Sequence, residues 1–253
     1  MSETLIWAAR DTGAFIGRSL RHSVRSVDTL VVSTILPVAV LLMFVEVFGG
    51  AIRAEGRYVD YVVPGIILLA AGFGSASTAV SVCQDMTTGV VDRFRSMPIT
   101  GFALLAGHVV AGIVRNAVST TLVLGVALVL GFRPVADPVA WLGVAGILLV
   151  FMAAVAWLSA CFGLLVRDVE AANAASFIVM FLPYVSSAFV PTATMPAGLR
   201  WVADHQPITP VVETLRGLMF GTSTGGHAPV AVAWCLAAAT AGALVAALLY
   251  RRR

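Results

Sequence analysis

Few residues in this chain have the type and spacing that catalysis needs. Ser75, in the stretch GFGSAS (Gly72–Ser77), sits among small residues as an intramembrane nucleophile would. Such a serine needs a histidine at the same depth on another helix to take its proton. The four histidines, His22, His108, His205 and His227, stand singly, with no HxxxH or HExxH spacing. His108 is expected near the cytoplasmic end of its helix, and His205 and His227 on the outer side. None matches the depth of Ser75, which therefore reads as a packing residue. Cys83, Cys161 and Cys235 are far apart, in or beside apolar stretches, and form no CxxC pair. They read as small packing residues, with neither a zinc site nor a disulfide framework indicated.

Energy coupling is the next question. All sixteen basic residues are arginine, and there is no lysine. A Walker A phosphate loop needs a lysine at the terminal phosphates, so no nucleotide site and no cofactor are expected on this chain. A proton- or ion-driven carrier places acids inside its bundle, where a carboxylate is costly unless used. The single candidate is Glu46, at the outer end of an apolar run, with Arg53 or Arg57 near enough in sequence to partner it. Arg115 is expected low in a long helix, snorkelling to the interface. With no proton relay visible, a transporter of this kind must take its energy from a partner.

The elements that position these residues are apolar helices. Of 253 residues, 59% are hydrophobic and 11% charged, whereas a soluble domain carries about 25% charged residues. Six runs are long enough to cross a bilayer: 29–48 (with Pro37 inside), 62–83, 109–131, 140–166, 171–190 and 229–250. The expected fold is all-α and integral to the membrane, as one permease domain (29–253) preceded by a segment at 1–28. With the N-terminus inside, eleven arginines (Arg10, Arg18, Arg21, Arg25, Arg93, Arg95, Arg115, Arg167 and Arg251–Arg253) face the cytoplasm. Five (Arg53, Arg57, Arg133, Arg200 and Arg216) face out, which the positive-inside rule favours. Both termini are then cytoplasmic. An Arg-only, Ala/Gly/Val-rich composition points to a GC-rich bacterial genome.

Residues 1–28 lack the apolar core and cleavage site of a signal peptide. Their Leu5, Ile6, Ala9, Ile16, Leu20, Val24 and Val27 share one helical arc, and Arg10, Arg18, Arg21 and Arg25 the opposite one. This predicts a basic amphipathic helix in the cytoplasmic headgroup layer. Between the second and third runs stands a charged island, QDMTTGVVDRFRSMPIT (residues 84–100). Val90, Val91, Phe94 and Met97 share one face, and Asp92, Arg93, Arg95 and Ser96 the other, with Gly89 before and Pro98 after. A short cytoplasmic helix follows, either bound to headgroups or docked into another protein. Residues 191–228 are too polar to span and too apolar for a plain loop. They predict short helices dipping into the outer leaflet, separated by Pro207 and Pro210, at the outer end of a substrate route. Small residues four apart, such as Gly72 and Ala76, or Ala238, Gly242 and Ala246, read as close-packing faces.

The stretch Asp85-Met-Thr-Thr-Gly-Val-Val-Asp-Arg-Phe-Arg-Ser-Met-Pro-Ile99 resembles the cytoplasmic segment of type 2 ABC-exporter permeases, in the daunorubicin-resistance branch. Ser187-Ala-Phe-Val-Pro191, Met195-Pro196 and Gln206-Pro-Ile-Thr-Pro-Val-Val-Glu-Thr-Leu-Arg-Gly217 are similar to that branch's outer signature, with Gln206 where Asn is commoner. Arg167-Asp168 is a third match. The resemblance implies a coupling helix seated in a separate ATPase, carried by Asp85, Gly89, Asp92, Arg93, Phe94, Arg95 and Pro98. Arg167 and Asp168 would be a second contact, and the N-terminal helix a connecting helix. The outer signature would put Pro191, Pro196, Pro207, Thr209, Pro210, Glu213 and Arg216 along the substrate route. It also implies two permease subunits, identical or related, over two ATPase copies in a bacterial plasma membrane. The expected function is export of hydrophobic or amphipathic drugs, antibiotics or lipids, with no nucleic acid involved. Export of a lipid-linked glycan is the alternative; a proton-coupled carrier and an intramembrane hydrolase rank lower.

Overall fold

The computed structural model describes residues 27–49, 57–88, 101–166 and 168–252. The expected amphipathic helix at 1–28 therefore lies almost wholly outside the described residues. So do Arg53, the coupling-helix residues Gly89, Asp92, Arg93, Phe94, Arg95 and Pro98, and Arg167. Among the described residues all regular structure is helical.

Helix α1 (Val27–Leu42) contains Pro37 and runs on as a π turn, Met43–Val47, closed by Phe48 N–H donating to Met43 O at 3.2 Å. Helices α2 (Tyr58–Phe73) and α3 (Ser75–Thr87) form one apolar crossing interrupted at Gly74. Then come α4 (Gly101–Val129), α5 (Pro138–Leu165) and α6 (Val169–Phe181). Two short helices, α7 (Ala197–His205) and α8 (Ile208–Phe220), precede the last, α9 (His227–Arg252). Among the described residues four stretches are long and apolar enough to cross a membrane: Tyr58–Thr87, Leu104–Val129, Pro138–Leu165 and His227–Tyr250.

Local sequence explains several boundaries. Asp137 Oδ1 accepts from Ala140 N–H at 2.7 Å with Pro138 as the first helical residue, and Asp168 Oδ1 accepts from Ala171 N–H at 2.7 Å. Both are side-chain caps on otherwise unsatisfied first-turn donors. Pro207 ends the link after α7 and caps α8, but Pro210 does not break the chain as expected. It sits in the first turn of α8, where the missing N–H would have had no intrahelical partner. The expected fifth span is not continuous either. Helix α6 stops at Phe181 and passes through a 3-10 turn, Leu182–Val185, into the buried turn Ser186–Phe189. Pro183 lacks the N–H to extend the helix, and Ser186 Oγ donates to the Pro183 carbonyl.

Helix α2 is the centre of the bundle. Every residue from Val62 to Ala71 is buried, as suits a helix that is apolar all round. It packs against α1, α4, α5 and α8, while α9 lies along α5. Where α9 meets α5, Gly242 is buried so closely that a β-carbon there would come within 3.0 Å of Trp157 Cβ, and Cys161 Sγ donates to Gly242 O at 3.0 Å. The small face Ala238-Gly242-Ala246 is thus a packing face. Between helices in lipid no hydrophobic force acts, so close approach through small residues carries the association.

Candidate functional site

At one end of the bundle the buried turn 186–189 is held by side chains from three helices. Gly65 on α2 comes so near that a β-carbon there would lie 2.6 Å from Ala188 Cβ, so only glycine lets the turn dock. Tyr58 Oη donates to Phe189 O at 3.1 Å and Tyr61 Oη to Ser187 O at 2.9 Å. Gln206 donates to Val185 O, and Ser187 N–H reaches Thr209 Oγ1 at 3.4 Å. Thr209 Oγ1 in turn donates to Ala203 O at 2.6 Å, tying α8 back to α7. Phe44 of the π turn stacks on Phe189 at 4.5 Å, and Phe189 on Tyr184 at 5.1 Å. Irregular backbone survives among apolar helices only when its polar groups are satisfied in this way.

Arg216 on α8 is the keystone of this arrangement. Its Nη1 donates to Glu213 Oε1 at 2.6 Å, and its Nη2 to Tyr61 O and Ser187 O, each at 3.1 Å. The guanidinium lies over the Tyr61 ring, 4.0 Å from its centroid. One side chain thus joins α8, α2 and the 186–189 turn.

These residues wall a cavity of about 790 Å³. Of the residues expected on a substrate route, Pro191, Thr209, Glu213 and Arg216 line it. Pro196, Pro207 and Pro210 do not; they shape the short helices. Arg57, Asp60, Tyr61, Ser187, Asp204, Phe220 and His227 also line it and were not among the individual residues expected on that route. They come from elements far apart in the chain, and the run of paired polar and aromatic residues ahead of the second apolar stretch (Arg57 to Tyr61) was their one local signal. The walls are amphipathic, with aromatic faces beside carboxylates and guanidinium groups, and suit a partly apolar ligand with polar substituents. Glu46, at the end of the π turn, is exposed, and Arg57 lies over Gly131 instead of pairing with it. Among the described residues no three metal-ligating side chains gather.

At the other end of α3, Asp85 is half-buried and its Oδ2 lies 2.9 Å from His108 Nε2 on α4. His108 is therefore not isolated. The pair joins the two helices that flank residues 89–100. Asp168 is exposed and caps α6.

Midway along the broken crossing lies a third polar group. Arg115, expected at the interface, is only 7% exposed, and its Nη2 donates to Gly74 O at 3.1 Å and Thr78 Oγ1 at 3.3 Å. Asn116, 1% exposed, donates through Nδ2 to Ala71 O at 2.8 Å. The break at Gly74 frees carbonyls inside the bundle, and these draw the guanidinium inward.

The comparisons decide which family builds such a bundle. Residues 10–220 match the ABC-2 type transporter family. The chain belongs to the ABC-2 type transporter family. This permease is 33% identical over 209 residues, 81% of its length and 72% of the relative's, to the daunorubicin resistance ABC transporter permease protein DrrB1 of Streptomyces coeruleorubidus. It is 25% identical over 242 residues, 93% of its length and 86% of the relative's, to the probable doxorubicin resistance ABC transporter permease protein DrrC of Mycobacterium tuberculosis. The resemblance read from the charged island and the outer signature is confirmed at the level of the family. As an ABC-2 permease it is an integral membrane protein and not itself an enzyme, and its family implies partnership with an ABC ATPase subunit.

Proposed function

We propose that this permease exports hydrophobic or amphipathic compounds from the cytoplasm of a bacterium across its plasma membrane. ATP hydrolysis on a separate subunit supplies the energy. The observation that carries the reading is the amphipathic cavity of about 790 Å³ built by the re-entrant segment at one end of a lysine-free permease. Two relatives named for drug resistance support it. In this reading the chain crosses the membrane six times with both termini cytoplasmic, and the cavity opens outward. Residues 89–98 form the coupling helix in a cleft of the ATPase, with Arg167 and Asp168 as a second contact and the N-terminal helix as the connecting helix. Two permease subunits stand over two ATPase copies. ATP is bound on the partner, and the chain itself carries no cofactor.

The test is copurification and transport from native membranes. The ATPase is expected to copurify with the wild-type chain and to drive uptake of a fluorescent hydrophobic cation into inside-out vesicles. Arg93→Glu should abolish both. Uptake driven by a pH gradient without ATP would overturn the reading, and preferential uptake of a lipid-linked glycan would replace the substrate class.

A further inference from the structure

Gly74 divides one membrane crossing into two half-helices, and α4 grips both sides of the division. The carbonyl of Ala71, in the last turn of α2, accepts from Asn116; the carbonyl of Gly74, the residue that closes α2 and opens α3, accepts from Arg115 and from Ser77 Oγ at 2.6 Å. Gly74 has φ −73° and ψ −1°, a conformation open to any residue, so backbone freedom does not explain the glycine. Contact does. A β-carbon at Gly74 would lie 1.9 Å from Asn116 Oδ1, and one at Gly112 would lie 2.6 Å from Thr78 Oγ1. Helix α4 approaches the break so closely that glycine is needed on both partners.

The chemistry of the grip is that of a broken helix. A half-helix ending inside the bundle presents unpaired carbonyls and the negative end of its dipole. In membrane proteins such ends hold cations, and here the cation is a guanidinium from the neighbouring helix. A charged side chain buried in a span is expensive and marks function. Gly74 is the one residue between α2 and α3, and these side-chain bonds hold the carbonyls at the junction. A glycine break is one of the few causes of a sharp bend in a helix.

The position matters as much as the bonds. Helix α2 carries Tyr61 and the cavity wall, and α3 carries Asp85 and leads into residues 89–98. We propose that Gly74 is a hinge in the transport cycle, and that Arg115 and Asn116 are positioning residues that latch it. In a second state the latch bonds to Ala71, Gly74 and Thr78 are exchanged as α3 turns against α2. The proposal rests on the exporter reading, since it joins the ATPase end to the cavity end.

The test compares backbone hydrogen exchange over residues 70–80 in the permease–ATPase complex in nanodiscs, without nucleotide and after trapping with ATP and vanadate. Wild-type protection at Ser75 to Thr78 is expected to change by about tenfold between the two states. Arg115→Met and Asn116→Leu should raise exchange there in the nucleotide-free state and remove the difference. Gly74→Ala combined with Asn116→Ala removes the oxygen that a β-carbon would meet. It is expected to melt as one cooperatively folded protein yet slow transport by about tenfold. Arg115→Lys should recover part of the protection. Equal wild-type exchange in both states, or wild-type transport by the latch variants, would overturn the hinge. If the wild type transports nothing with its ATPase, the exporter reading fails instead, while nucleotide-free exchange in Arg115→Met still reports the latch.

Discussion

Arg216 gathers a carboxylate, two carbonyls and an aromatic face around one guanidinium, and the planar fork is what makes this possible. Arg216→Met should cost about 2 kcal/mol, because hydrogen bonds from a charged donor are worth more than neutral ones. The measurement is the thermal denaturation midpoint in detergent, alongside Glu213→Gln/Arg216→Met to remove the orphaned carboxylate. Arg216→Lys should recover only part of the loss, since one ammonium cannot reproduce the fork. An unchanged midpoint in Arg216→Met would remove the keystone role. Glu213 and Arg216 were legible in the sequence as part of an outer signature. That Arg216 also bonds the Ser187 carbonyl was not, because a backbone carbonyl carries no sequence signal.

At the scale of elements, two contacts set how helices meet. The turn 186–189 docks on α2 through Gly65, where a side chain would strike Ala188. Gly65→Val should destabilise by about 1–3 kcal/mol through overpacking, and Ala188→Gly in the same chain should restore little of it, because the Ala188 carbonyl oxygen and Cα would still lie 2.7 and 2.8 Å from the β-carbon. A Gly65→Val chain that melts with the wild type would contradict the docking. The second contact is Asp85 with His108, which pins α3 to α4 beside residues 89–100. A double-mutant cycle with Asp85→Ala and His108→Ala should give a coupling of about 1 kcal/mol, as for a half-buried hydrogen-bonded pair. Zero coupling would show that this pair contributes nothing to holding the two helices together. Apolar runs placed the long helices to within a few residues, apart from α4, which begins at Gly101 ahead of its run, and α6. There Pro183 and a serine side chain end the helix early, and no periodicity reports that.

For the whole molecule the open prediction is orientation. Cys83, Cys161 and Cys235 are all buried, so an introduced thiol can be read against a low background. Ser223→Cys and Gln84→Cys place thiols at exposed positions at opposite ends of the bundle. A membrane-impermeant maleimide should label Ser223→Cys in intact cells and Gln84→Cys only after permeabilisation. The reverse pattern would invert the proposed direction of the cavity and of the coupling segment.

What the sequence determined by itself follows from composition and local order. A chain this apolar must be a membrane protein, a lysine-free chain carries no phosphate loop, and two short motifs are enough to name a family. These conclusions need no knowledge of which helix touches which. The tertiary structure alone decided that Arg115 points into the bundle, that His108 meets Asp85, and that Tyr61 and Ser187 share Arg216 across 155 and 29 residues of chain. The physical reason is that apolar helices are nearly featureless outside. Their pairing rests on small residues and on unsatisfied carbonyls at breaks, and both acquire partners only when the helices are packed.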